Sequence, residues 1–112
     1  MFILDDGLAD LNADMLLAGK ESPQTLMDRA KEAGVTAILL DMGIYRLIDS
    51  IQIGLLFGLA RCCRQMGIRL MVFGAKEGVA QSLRWVNAQQ VMEIHPDREA
   101  ALDALRPGTE SE

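Results

Sequence analysis

The chain is 112 residues long, carries a net charge of −5 and is half hydrophobic, with aromatics at only 4%. That length suits one domain able to bury roughly two-thirds of its unfolded surface, so aliphatic side chains and methionines must fill the core. An acidic chain without a Lys/Arg cluster excludes nucleic-acid backbone binding. With no apolar run of about 18 residues and no basic-then-apolar leader, the expected setting is cytoplasmic, without membrane insertion.

In chain order, Met1 to Leu4 is a short apolar run stopped by Asp5-Asp6-Gly7, which reads as a strand and a turn. Met15-Leu16-Leu17-Ala18 allows a helical turn or the second strand of a hairpin, and the strand is preferred. Ser22-Pro23 opens a helix as N-cap and first helical residue, with Leu26, Met27, Ala30 and Ala33 inward and Gly34 closing it. Val35 to Met42 is a near-continuous apolar run, as in a strand buried on both faces.

A long helix then starts at Ser50, whose hydroxyl suits an N-cap at the positive helix end. Its inner stripe is Leu55, Leu56, Leu59, Cys62, Cys63 and Met66, and Gly67 ends it. The adjacent cysteines point about 100° apart, which makes them core-lining thiols and not a disulfide framework. Ile68 to Phe73 is the next strand, and Lys76 to Trp85 the next helix, with Val79, Leu83 and Val86 inward. Val91 to Ile94 is a short strand. A last helix starts at Pro96-Asp97, with Ala100, Leu102 and Leu105 on one face, and the tail 107–112 is expected to be disordered. The alternation predicts an α/β fold: a mixed, mostly parallel sheet of four to five strands with about four helices.

One His and an adjacent Cys pair do not make a metal site, and neither a phosphate loop nor a nucleophile elbow is present. No cofactor and no enzymatic activity are expected. One phosphoacceptor pattern is similar to a response-regulator receiver, with Asp5 and Asp6 holding a divalent cation and Asp41 accepting phosphate. The hydroxyl and Lys that such a site needs are replaced by Gly74-Ala75 and His95, leaving phosphate charge with few partners.

A wider resemblance runs from Thr36 to Leu105. The strand Ala37 to Asp41, Ile48-Asp49-Ser50 opening a helix, Gly67 before a strand, Phe73-Gly74 closing it and the ending Glu93 to Ala101 resemble a STAS domain. This is the fold of bacterial anti-sigma factor antagonists. The resemblance implies one domain over 1–106, with Ser50 as phosphoacceptor supported by Asp49. The implied partner is a Ser/Thr kinase of the anti-sigma type, so that phosphorylation switches partners. Ile51-Gln52-Ile53-Gly54 departs from the small residue, Gly, aliphatic, Gly that often follows. The apolar Ile51 is more similar to stressosome scaffold members. That alternative implies other STAS proteins or a second copy as partners, or an accessory role in a lipid-transport complex, with Ser50 structural.

The outer face of the long helix supplies a candidate partner surface: Ile51, Ile53, Gly54, Phe57, Gly58 and Arg61. Apolar and small residues grouped beside a polar motif read as a docking patch. The same residues have a plain reading, with Phe57 tucked under the preceding loop and Gly58 facing a neighbouring strand.

Overall fold

The computed structural model describes residues 1–4 and 7–106, so the Asp5-Asp6 turn and the tail expected at 107–112 lie outside the described residues. In chain order the elements are β1 (Phe2–Ile3), β2 (Leu8–Asn12), α1 (Ala13–Leu17), α2 (Pro23–Glu32), β3 (Ala37–Asp41) and α3 (Ser50–Met66). They continue with β4 (Arg69–Phe73), α4 (Glu77–Trp85), a 3-10 turn (Ala88–Gln90), β5 (Glu93–His95) and α5 (Arg98–Leu105). The strands lie side by side in sequence order, β2 to β5 parallel and β1 antiparallel at the edge. The α/β class and the mostly parallel sheet are as the sequence predicts, with five α-helices among the described residues where about four are expected.

The front of the chain differs from expectation. The second strand is Leu8–Asn12, in register with β3 from Leu8 opposite Ala37 to Asn12 opposite Asp41. Residues 13–17 are helix, with Leu16 and Leu17 buried. The cause is local: the Asn12 side chain accepts a hydrogen bond from the Asp14 amide at 2.8 Å, capping α1. Before it, Ala9 and Leu11 alternate with the outward Asp10 and Asn12, a period-two pattern hidden by two residues that strands disfavour.

α2 begins as expected, with Ser22 Oγ accepting from the Thr25 amide at 3.1 Å and Pro23 first in the helix. Ala33 is its C-cap and exposed, not inward, and Gly34 follows with φ 71°. α3 ends at Gly67, also left-handed, where the Ile68 amide reaches back to the Cys63 carbonyl at 2.9 Å.

β3 is buried on both faces, and its two faces belong to different cores. Ile38 and Leu40, with Ala9, Leu11, Leu70 and Val72, meet α1 to α4 in the larger cluster. Ala37 and Leu39, with Met71 and Phe73, meet α5 alone among the helices of the described residues, through Ala101. On α5 the buried contact is Ala101, while Leu102 and Leu105 pack at its edge and Ala100 is half-buried. On α4, Val79 and Leu83 point inward, but Val86 is 39% exposed because it is the C-cap, beyond the last regular turn. Trp85 beside it is 76% exposed. α3 buries Leu56, Leu59, Ala60 and Cys63, with Leu55, Cys62 and Met66 half-buried at the margins. Burial pushes the Cys63 thiol up to about 12, with Cys62 adding to it, which disfavours the reactive thiolate.

Candidate functional site

The site is built at the start of α3 and the loop from Met42 to Asp49. The N-cap is Asp49, not Ser50. The Asp49 carboxylate accepts from the Gln52 amide at 2.8 Å, and the Asp49 amide donates to Gln52 Oε1 at 2.9 Å. This is a complete capping box. Gln52 is the residue at which this chain departs from the Gly that often follows the motif, and the box gives that departure a structural cause. Ser50 is then the first residue of a 17-residue helix, exposed, with no hydrogen bond from its hydroxyl to a described residue.

The loop that delivers this end is held on both sides. The Met42 amide donates to the Phe73 carbonyl at 2.9 Å, and the Gly43 amide to Asp41 Oδ1 at 2.8 Å. Tyr45 donates its hydroxyl to Asp14 Oδ1 at 3.1 Å. Hydrogen bonds from Lys20, first, and Tyr45 hold the Asp14 carboxyl below its usual range, while partial burial and the Asp14 carboxylate push the Tyr45 phenol up. On the far side, a Cβ on Gly78 of α4 would lie 2.7 Å from both the Arg46 carbonyl oxygen and Leu47 Cδ2. Only a glycine lets the loop settle there.

Around Ser50 the surface is apolar: Ile51 is 74% exposed, Leu47 71% and Ile44 61%. Sequence reasoning found Ile51 and missed Ile44 and Leu47. Two exposed apolar residues in a loop between a buried strand and a capped helix were the available signal. The other predicted surface residues divide. Gly54 is exposed, and a Cβ there would meet nothing within 4 Å. Gly58 faces Pro23 of α2, where a Cβ would stand 3.4 Å from Pro23 Cγ, an ordinary contact, so it lies at the α2–α3 seam and not on a free docking face. Ile53 and Phe57 are half-buried, Phe57 against the larger core, and Arg61 is exposed. Phe57, Arg61, Arg64, Gln65 and Val91 line an open groove of about 440 Å³.

The acidic alternative is placed elsewhere. Asp41 ends β3 and lines a second pocket, of about 510 Å³, with Asp10 and Arg98. Arg98 meets both oxygens of Asp10, at 2.7 and 3.0 Å, so its charge is already committed. Asp5 and Asp6 lie outside the described residues. His95 ends β5, with its ring 3.3 Å from Glu93 Oε1. Glu93 also accepts from two nitrogens of Arg69, at 2.6 and 2.7 Å, and Arg69 above all holds its carboxyl below the usual range. Among the described residues no three His, Cys, Asp or Glu side chains converge as metal ligands.

Comparison with known proteins fits this geometry. A search of curated proteins finds no match. The crystal structure of a protein from Thermotoga maritima, TM1081, provisionally assigned as an anti-sigma factor antagonist, has the same fold. It is similar at a TM-score of 0.73 and 17% identity over 95% of this chain and 93% of that one. The NMR structure of TM1081 is similar at a TM-score of 0.78 and 17% identity, covering 95% of this chain and 87% of that chain. At that identity the likeness shows the fold alone. The model of the STAS domain matches residues 10–101, and the chain therefore belongs to the STAS domain family.

Proposed function

We propose that this chain is a partner-switching regulator, an anti-sigma factor antagonist that binds a Ser/Thr kinase of the anti-sigma type. Phosphorylation of Ser50 by that kinase breaks the complex. The observation that carries this reading is the division of roles at the start of α3. Asp49 and Gln52 cap the helix by bonding each other's amides, which leaves the Ser50 hydroxyl exposed and unengaged. A phosphate there adds about −1.5 to −2 charges at the positive end of a long helix, which tolerates it. The domain keeps its fold while an apolar surface gains a concentrated negative charge. A partner covering Ile44, Leu47 and Ile51 would then bury an unpaired, strongly hydrated group. A loss of about 2–3 kcal/mol lowers affinity by roughly a hundredfold. The protein works by binding, in the cytoplasm where kinase and ATP are present, and catalyses nothing itself. No helix among the described residues is long and apolar enough to cross a membrane.

A second reading draws on Ile51. An isoleucine 74% exposed directly after the serine suits permanent packing against other STAS proteins, with Ser50 unmodified, as in a scaffold or accessory subunit.

Incubation with a candidate anti-sigma-type kinase and ATP, followed by mass spectrometry, tests the first reading. The expected product is an acid-stable phosphate on Ser50, absent from Ser50→Ala, with Ser50→Asp binding the kinase about a hundredfold more weakly. An adduct on Asp41 instead, or equal binding by Ser50→Asp and Ser50→Ala, sinks it.

A further inference from the structure

The arginines of this chain fall into two groups. Arg29, Arg69, Arg84, Arg98 and Arg106 each meet a carboxylate. Arg46, Arg61 and Arg64 meet none among the described residues, and all three belong to the loop before α3 or to α3 itself. The chain has 16 acidic residues against 11 basic ones, so these charges are not left over for lack of carboxylates. Arg64 sits in the last turn of α3, where the helix dipole favours a cation. Arg61 lies a turn earlier and Arg46 is outside the helix, so the dipole accounts for neither.

Their placement follows the switch residue. At 3.6 residues per turn, Ser50, Gly54, Phe57, Arg61 and Arg64 share one side of α3, over about 21 Å from end to end. At the far end the groove has an apolar floor, Phe57 and Val91, and a cationic rim, Arg61 and Arg64. We propose that the partner lays an acidic amphipathic segment along this side of α3, an apolar side chain seated on Phe57 and Val91 and carboxylates meeting Arg61 and Arg64. This rests on the reading of the Ser50 face as the docking face and adds the sign of the partner.

Two arguments give the same sign. The unpartnered guanidiniums attract an acidic segment and repel a basic one. A phosphate on Ser50 adds like-charge repulsion to the desolvation cost when the near end of the segment is acidic, and would work against release when that end is basic. Ser50 and Arg61 are about 16 Å apart along the axis, beyond a Debye length of about 8 Å. The phosphate therefore leaves the arginine end intact and acts on the partner's near end.

The test uses the full chain, isotope-labelled, and two synthetic helical peptides with leucines at i, i+3, i+4 and i+7. One carries glutamates at the remaining positions and the other lysines. The acidic peptide is expected to shift the amide signals of Phe57, Arg61, Gln65 and Val91 and to bind about tenfold more tightly than its lysine twin. Arg61→Glu with Arg64→Glu, both exposed positions, is expected to reverse that preference and to lower the midpoint of thermal unfolding by no more than a few degrees, the cost of an anion in the last turn of α3. Equal or tighter binding of the lysine peptide overturns the proposal, as do shifts confined to other surfaces or none at millimolar peptide. Self-association that occupies the groove, seen by sedimentation, also overturns it. Ser50→Ala keeps the preference, so a failed phosphorylation assay and a failed peptide assay are separate results.

Discussion

The starts of α3 and α5 are made alike and used differently. In each, an aspartate caps the helix by accepting from the amide three residues on, Asp49 from Gln52 and Asp97 from Ala100, both at 2.8 Å. The next residue is where they part. Arg98 reaches across to β2 and grips Asp10 with two nitrogens, fastening α5 to the sheet. Ser50 grips nothing among the described residues and stands exposed in an apolar surround. A cap that satisfies the helix frees the residue after it, and the two helices spend that freedom on anchoring in one case and on presentation in the other.

The largest effects belong to the caps themselves. Asp49→Ala and Asp97→Ala are each expected to cost about 1 kcal/mol in urea unfolding, within a range of about 0.5–2. If Ser50 could take over as cap, Asp49→Ala would cost nothing measurable and the contrast would collapse. The following residues come next. Arg98→Gln is expected to lose about 0.2–1 kcal/mol, the modest value of a partly exposed pair, while Ser50→Ala stays within about 0.5 kcal/mol of the parent. A larger loss at Ser50 than at Arg98 would invert the comparison.

The smallest effect is electrostatic and lies at the other end of the sheet. The Glu93 carboxyl is held below its ordinary 4.5, chiefly by its hydrogen bonds to Arg69, with His95 helping and burial opposing. A depressed folded-state value means that the stabilisation is complete above about pH 4.5 and is lost as pH falls through the lower, folded value. Glu93→Gln should therefore flatten the acid limb of a stability-versus-pH curve and leave the neutral region nearly parallel to the parent.

Much of this arrangement was legible in the residues. β3 announced itself by an unbroken apolar run, α2 by Ser22-Pro23, and α3 by a long periodic stripe closed at Gly67. The front end was not, because β2 carries Asp10 and Asn12 on its outward face and its inward Ala9 and Leu11 are too few to show a period. The helix starts at Ser50 as read, but its N-cap was misplaced by one residue, for a related reason. Asp and Ser are both good caps, and only the reciprocal bond of Gln52 decides between them, a contact that single-residue preference does not encode. At the candidate site, Ser50, Ile51 and Arg61 could be found from the helix pattern. Gly58 could not be assigned its role, because facing Pro23 depends on how α2 crosses α3. Arg46, Arg61 and Arg64 became informative only once the other arginines had been given their carboxylates.

Trp85 closes α4 with most of its indole in water. It is the only tryptophan, and Tyr45 the only tyrosine. The native emission of this protein is therefore that of a solvated indole, and losing the core changes its surroundings little. Intrinsic fluorescence is a poor ruler of folding for this chain and a sensitive one for anything that settles on the end of α4. The phenol of Tyr45, half-buried and bonded to Asp14, is the chromophore whose environment the fold creates, so near-ultraviolet absorption follows the loop that leads into α3.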